Sequence, residues 1–395
     1  MNYLKKIYTD IVENKNIIIL TFLYIYGFCS IIFYSILDIE GGGNAWKQGD
    51  WLINNEHFLV RRGWLGSVLI YLSNFFELNI LYVVLFVQTI VIFVIFLIFF
   101  LVGVKYRKND LFFFLLISPF FILFWFNDPL GSMRKEILGY LAFLPYMLLL
   151  INENLNVNKI SIFSVFLYFL AVFSHEINVF LLPFFLIISY LINKKNCFKY
   201  FIAYFFIAIS GFIYSLVYSK VDEYLYVCQP LLDLNLKVEF CGGAIKWLEK
   251  DFYSNIIIIK NHLSFFVISK FIILVSILLF TLIYSLSGIF KRSHIFCFYL
   301  MCFVCVSPLF FIALDWGRWL NLSLMGFIVV LFIYLFSINN NKKVYVFKSI
   351  KYVILILLSF YISVPHLIGN GSKIDRGYYK SIKYTFINFF LKDNS

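Results

Sequence analysis

Apolar runs of membrane-spanning length recur along this chain, and no other feature restricts its fold so severely. A helix crossing the hydrocarbon core needs about 20 apolar residues, and only helices or closed barrels satisfy their own backbone there. Applied along the sequence, that rule gives about eleven spans, at 17–37, 81–104, 111–126, 137–151, 160–173, 178–191, 200–218, 271–290, 295–314, 320–338 and 352–367. The composition agrees, with 62% hydrophobic and only 14% charged residues where soluble domains carry about 25% charged. The expected fold is all-α: one polytopic membrane helix bundle over 1–395, with no internal repeat and no soluble domain. Its Phe and Tyr, with connectors rich in Asn and Lys such as 339–343, point to an AT-rich bacterial genome.

Charge orients the bundle. Short cytoplasmic loops carry an excess of Lys and Arg. With the N-terminus inside, the turns at 105–110, 152–159, 193–199, 291–294 and 339–351, together with the N-terminal segment, hold 16 Lys or Arg against four acids. The net charge of +12 is thereby explained by topology, with no basic stripe for nucleic acid. Lys5, Lys6 and Lys15 precede the first apolar run in the layout of an uncleaved signal anchor. This arrangement places the protein in the bacterial inner membrane, with two large periplasmic loops at 38–80 and 220–270. The first holds a short interfacial helix at 65–76, and the second an amphipathic segment around Trp247 and Lys250. The tail from Gly369 falls outside as well. Cys228 and Cys241 share the second loop and would bond if near each other in an oxidising compartment.

The ionisable residues most able to carry chemistry, though far apart in sequence, converge on the outer face. Asp38 and Glu40 leave the first span into three glycines, where a carboxylate can take a hydroxyl proton; they also simply end a helix in water. Asp50 follows. Arg61 and Arg62 offer planar forks for phosphate oxygens, or else snorkel to anionic lipid. Asp128, Arg134, Lys135 and Glu136 crowd one short turn, where Asp128 and Arg134 either pair or bind substrate. His175 and Glu176 stand at the turn between two short helices and do not share a helix face; His175 can shuttle protons and Glu176 can orient it or act as base. Asp315 and Arg318, three apart, face one way and can pair. His366, Asp375 and Arg376 complete the face. The tryptophans fit an interfacial belt, with Trp46 or Trp51 able to stack on a sugar. No metal-ligand spacing is present.

The stretch Asp38-Ile39-Glu40, Gly49-Asp50-Trp51 and Arg61-Arg62-Gly63-Trp64, followed by a short helix, resembles the GT-C superfamily of membrane glycosyltransferases over about the first hundred residues. Length, composition and span count further resemble Wzy-type polymerases of O-antigen or capsular polysaccharide. The resemblance implies transfer between polyprenyl-(pyro)phosphate-linked donor and acceptor sugars at the periplasmic face, beside membrane lipids and other polysaccharide-assembly proteins. It implies Asp38 as a catalytic or metal-associated carboxylate with Glu40 as companion, so a divalent metal is the one cofactor it leaves room for. The expected site is thus Asp38, Glu40, His175 and Glu176 for catalysis, and Arg61, Arg62, Arg134, Lys135, Asp315 and Arg318 for substrate phosphate. Rival readings are a flippase or transporter of a lipid-linked sugar, and a membrane acyltransferase built on His175.

Overall fold

With no water to bond their amides, apolar runs of this length settle as helices. The computed structural model describes residues 2–287, 289–338, 347–362 and 364–368. Its regular elements there are helices, with one isolated bridge between Ser287 and Phe290. The tail 369–395, including Asp375 and Arg376, lies outside the described residues.

Seven helices among the described residues are long and apolar enough to cross a membrane, against the eleven expected. The shortfall has a physical pattern. Ile137–Ile151, Glu176–Ile192 and Ile350–Tyr361 occur as shorter apolar helices, and the expected span at 111–126 is not one helix at all. Conversely, Val157–Ser174, read as a short helix, is 18 residues long and of spanning length.

The break at 111–126 falls at Pro119, which removes a backbone donor and disfavours helix at Ser118. Helix Asp110–Leu116 ends there, and a four-residue helix, Phe124–Asn127, follows. Irregular backbone at membrane depth is tolerated only where protein encloses it, and nearly every residue of this segment is buried. Its freed carbonyls find partners on the most enclosed of the spanning helices, Trp316–Ile338, in which 83% of an 18-residue stretch is buried. Asn321 Nδ2 donates to the carbonyls of Phe120 at 2.7 Å and Phe121 at 2.9 Å, while its Oδ1 accepts from the Tyr140 hydroxyl at 2.9 Å. Substitution Asn321→Leu strips three buried groups of their partner, each worth about 1–3 kcal/mol. We expect several degrees' loss of melting temperature in detergent; an unchanged melt would show that the break is held by packing alone.

The two ends of the bundle differ in chemistry. At one, Asn16 Nδ2 donates to Asp110 Oδ1 at 2.9 Å, the Tyr352 hydroxyl donates to Asn16 Oδ1 at 2.8 Å, and Lys105 pairs with Glu153 at 3.2 Å. At the other, the two long loops interlock. Ala244 N–H donates to the Ala45 carbonyl at 2.9 Å, Asn54 Nδ2 donates to the Val227 carbonyl at 2.8 Å, and the rings of Trp46 and Trp247 lie edge to face at 5.6 Å. A disulfide joins Cys228 to Cys241, with Cα atoms 6.0 Å apart. The short helix of the first loop runs Gly63–Phe76 and exposes Tyr71, Phe75 and Phe76, as an interfacial helix would. Gly66 lies against the Ile53 carbonyl with no room for a side chain, so this helix can lie close beneath the loop.

Candidate functional site

The interlocked loops cover a network of buried charges, and its centre is Asp50. The turn before it is set by Asn44, whose Oδ1 accepts from the amides of Trp46 and Lys47, both at 2.9 Å. A five-residue helix, Lys47–Trp51, follows. The Trp51 indole donates to the Met133 carbonyl at 2.7 Å, anchoring that helix inward and leaving Asp50 only 1% exposed.

Three other segments bring partners to Asp50. Arg62, with φ of 67° in the left-handed region, turns the chain into Gly63–Phe76. Its Nη1 lies 3.3 Å from Asp50 Oδ1, its Nε donates to both oxygens of Glu176 at 2.9 and 2.7 Å, and its Nη2 also bonds Glu176. Arg61 Nη1 stands 3.8 Å from Glu176 Oε1. Met133 is left-handed too, at φ 59°, and sends Lys135 inward: its amide meets Asp50 Oδ2 at 3.4 Å and its Nζ donates to the Arg62 carbonyl at 2.7 Å. Non-glycine residues held at positive φ cluster at functional sites. Here two of them steer cations into one place. His175 ends helix Val157–Ser174 in extended conformation, its Nε2 4.0 Å from Asp50 Oδ2. That extended residue lets His175 and Glu176, which share no helix face, enter the same cluster.

A second group adjoins the first. Arg318, in the first turn of helix Trp316–Ile338, donates from Nε to Glu136 Oε1 at 2.7 Å and pairs with Asp315, as their spacing suggested. Arg134 Nη1 donates to the Trp46 carbonyl at 2.5 Å, and its guanidinium lies 5.9 Å from the Trp46 ring. Neither the Arg134 guanidinium nor the Lys135 ammonium has a carboxylate oxygen within 4 Å among the described residues.

Proximity fixes protonation. Burial opposes ionisation of Asp50, but His175, Lys135, Arg62 and Arg134 outweigh it and hold the carboxyl well below its usual range. Glu176 is held low likewise, burial being outweighed chiefly by Arg62, then by His175 and Arg61. Burial pushes Lys135 down to about 8, with Asp50 resisting. Burial and then Arg62 lower His175 to about 3, so its imidazole is neutral at neutral pH. Its Nδ1 accepts from the Ile177 amide at 3.2 Å, which leaves the proton on Nε2, facing Asp50.

Several expected residues stand elsewhere. Glu40 is exposed and forms no ion pair among the described residues, so it is not Asp38's companion. Asp38 sits at the rim, 23% exposed, paired with the buried Lys47. A Lys ammonium on that carboxylate repels a divalent cation, and among the described residues no three His, Cys, Asp or Glu side chains gather as a ligand set. The metal-associated role implied for Asp38 does not fit. Asp128 pairs with His366 at 2.7 Å, not with Arg134, and also accepts from the His366 amide at 2.6 Å; this ties 364–368 to the 128–131 turn. Trp51 is wholly buried and cannot stack on a sugar, whereas Trp46 is 43% exposed. Three residues outside the expected set, Asp50, Lys47 and Glu136, carry much of the network. For Asp50 the signal was its place between Gly49 and Trp51.

No family model, curated protein or solved structure matches this chain.

Proposed function

We propose that this protein is a membrane glycosyltransferase that joins polyprenyl-(pyro)phosphate-linked sugars at the periplasmic face, polymerising repeat units of a surface polysaccharide. The observation that carries this reading is the gathering of Arg61, Arg62, Arg134, Lys135 and Arg318 around Asp50 at one end of an apolar bundle, two of them without a carboxylate of their own. Ionisable groups beside hydrocarbon are costly and mark functional sites. A lipid-linked sugar phosphate presents its negative charge at that depth and its tail to the bilayer. The Cys228–Cys241 disulfide suits an oxidising compartment.

In this reading the cations hold the donor's phosphate and stabilise the charge that grows on it as the glycosyl bond breaks. The acceptor hydroxyl attacks the anomeric carbon and gives its proton to a carboxylate. Glu176, among the arginines, suits that role better than Asp38, whose partner is Lys47. The departing group is the polyprenyl (pyro)phosphate. Cells lacking the protein should accumulate single lipid-linked repeat units on the outer leaflet and lose long-chain surface glycan. Accumulation on the cytoplasmic leaflet instead would favour a flippase and defeat the assignment.

A further inference from the structure

Glu176 sits where an oxyanion ligand would sit. Its carboxylate is gripped edge-on by Arg62 through Nε and Nη2 and flanked by Arg61 Nη1 at 3.8 Å, the geometry by which paired guanidinium groups take a phosphoryl group. Three observations mark this grip as removable. Both side chains keep an open edge, 21% exposed for Arg62 and 17% for Glu176. Glu176 Oε2 also lies 3.6 Å from His175 Nδ1, which already accepts from the Ile177 amide, so two acceptors face each other. Finally, donors around the carboxylate lack acceptors: among the described residues, Arg61 Nε is buried with none and the Lys135 ammonium has only the Arg62 carbonyl.

We propose that Glu176 is an internal stand-in for the ligand: a phosphate or diphosphate group displaces its carboxylate from Arg61 and Arg62, and the freed carboxylate becomes the proton acceptor. This deepens the reading above and takes from it the nature of the ligand. While clasped, Glu176 is a poor base because Arg62 stabilises its ionised form. Once a phosphoryl group takes that guanidinium, the carboxylate regains affinity for a proton beside the donor. Binding and activation are then one event, and without substrate the site is closed by its own acid.

The test is binding to the purified full-length chain in detergent, by calorimetry, with inorganic diphosphate and with farnesyl diphosphate. Glu176→Gln keeps the size of the side chain but removes the competing charge, and should bind roughly tenfold tighter, about 1.4 kcal/mol. Tightening toward inorganic diphosphate alone identifies a free-anion site, and greater tightening toward the prenyl compound a lipid-headgroup site; either supports the exchange. Unchanged or weaker binding of both overturns it. Should the variant not fold, carbodiimide labelling of Glu176 in the unaltered protein, read by mass spectrometry, must rise when diphosphate is added; no rise overturns the proposal equally. Neither measurement reads sugar transfer. A chain that binds in this way yet transfers nothing would refute the glycosyltransferase reading alone.

Discussion

Arg62→Ala should abolish the proposed sugar transfer and lower the free energy of unfolding by about 3–5 kcal/mol. Among the described residues, Arg62 is the one Lys or Arg that pairs with both Asp50 and Glu176. Removing it leaves two carboxylates, one fully buried, facing each other with weaker compensation. Desolvated charges that lose a partner are among the costliest single changes available to a protein. Two companion variants separate charge from backbone. Arg62→Gly also removes the guanidinium but accepts the left-handed φ of 67°, so it should be less destabilised than Arg62→Ala by about 1 kcal/mol and equally inactive. Arg62→Lys keeps the charge but loses the bidentate fork, and should retain fold with little activity. Thermal melts in detergent and a transfer assay with lipid-linked sugar decide all three. A folded, active Arg62→Ala would remove the centre of the proposed site.

Lys135→Met is expected to cost much less stability than Arg62→Ala. The ammonium is fully buried with a single backbone acceptor and no carboxylate within 4 Å among the described residues. An apolar side chain there relieves the burial of an ammonium that forms no direct ion pair, but it also takes from Asp50 one of the cations that hold its carboxylate, so the two effects oppose each other. A buried cation with no direct ion pair is not explained by pairing, and the anion site supplies a reason for it. Transfer should fall about a hundredfold or more, the scale of losing one charge-stabilising contact, while the melting temperature falls less than in Arg62→Ala. Because burial lowers the Lys135 pKa to about 8, its charge disappears as pH rises through that value. Substrate binding by the unaltered protein should therefore weaken above pH 8, and the Met variant should lack that step. Full activity in Lys135→Met would show the buried cation to be structural.

Much of this was legible in the sequence because apolar length and charge placement are properties of the chain itself. The helical bundle, the two large loops, the interfacial helix and the turn at His175 all follow from run length and its interruptions. The convergence of Arg61, Arg62, Arg134, Lys135, His175, Glu176, Asp315 and Arg318 at one end follows from alternating passes across the bundle. Pairing between distant segments was not legible. Asp128 could meet Arg134 or His366, and only the way 364–368 packs under Gly131 decides for the latter. Asp38 stood out by its position after the first span, yet the turn at 41–51 carries Asp50 further into the cluster and leaves Asp38 to Lys47. The count of eleven spans failed where apolarity alone was used. A proline within an apolar run breaks the helix, and a buried asparagine more than 200 positions away accommodates the break.

The most direct measurement is made on purified full-length protein in proteoliposomes supplied with a polyprenyl diphosphate-linked oligosaccharide, with products resolved by mass spectrometry. The account predicts longer lipid-linked glycan and one polyprenyl diphosphate released per linkage formed, in the unaltered protein and not in Arg62→Ala. Unextended glycan beside a folded protein, whether or not the lipid crosses the bilayer, would contradict it.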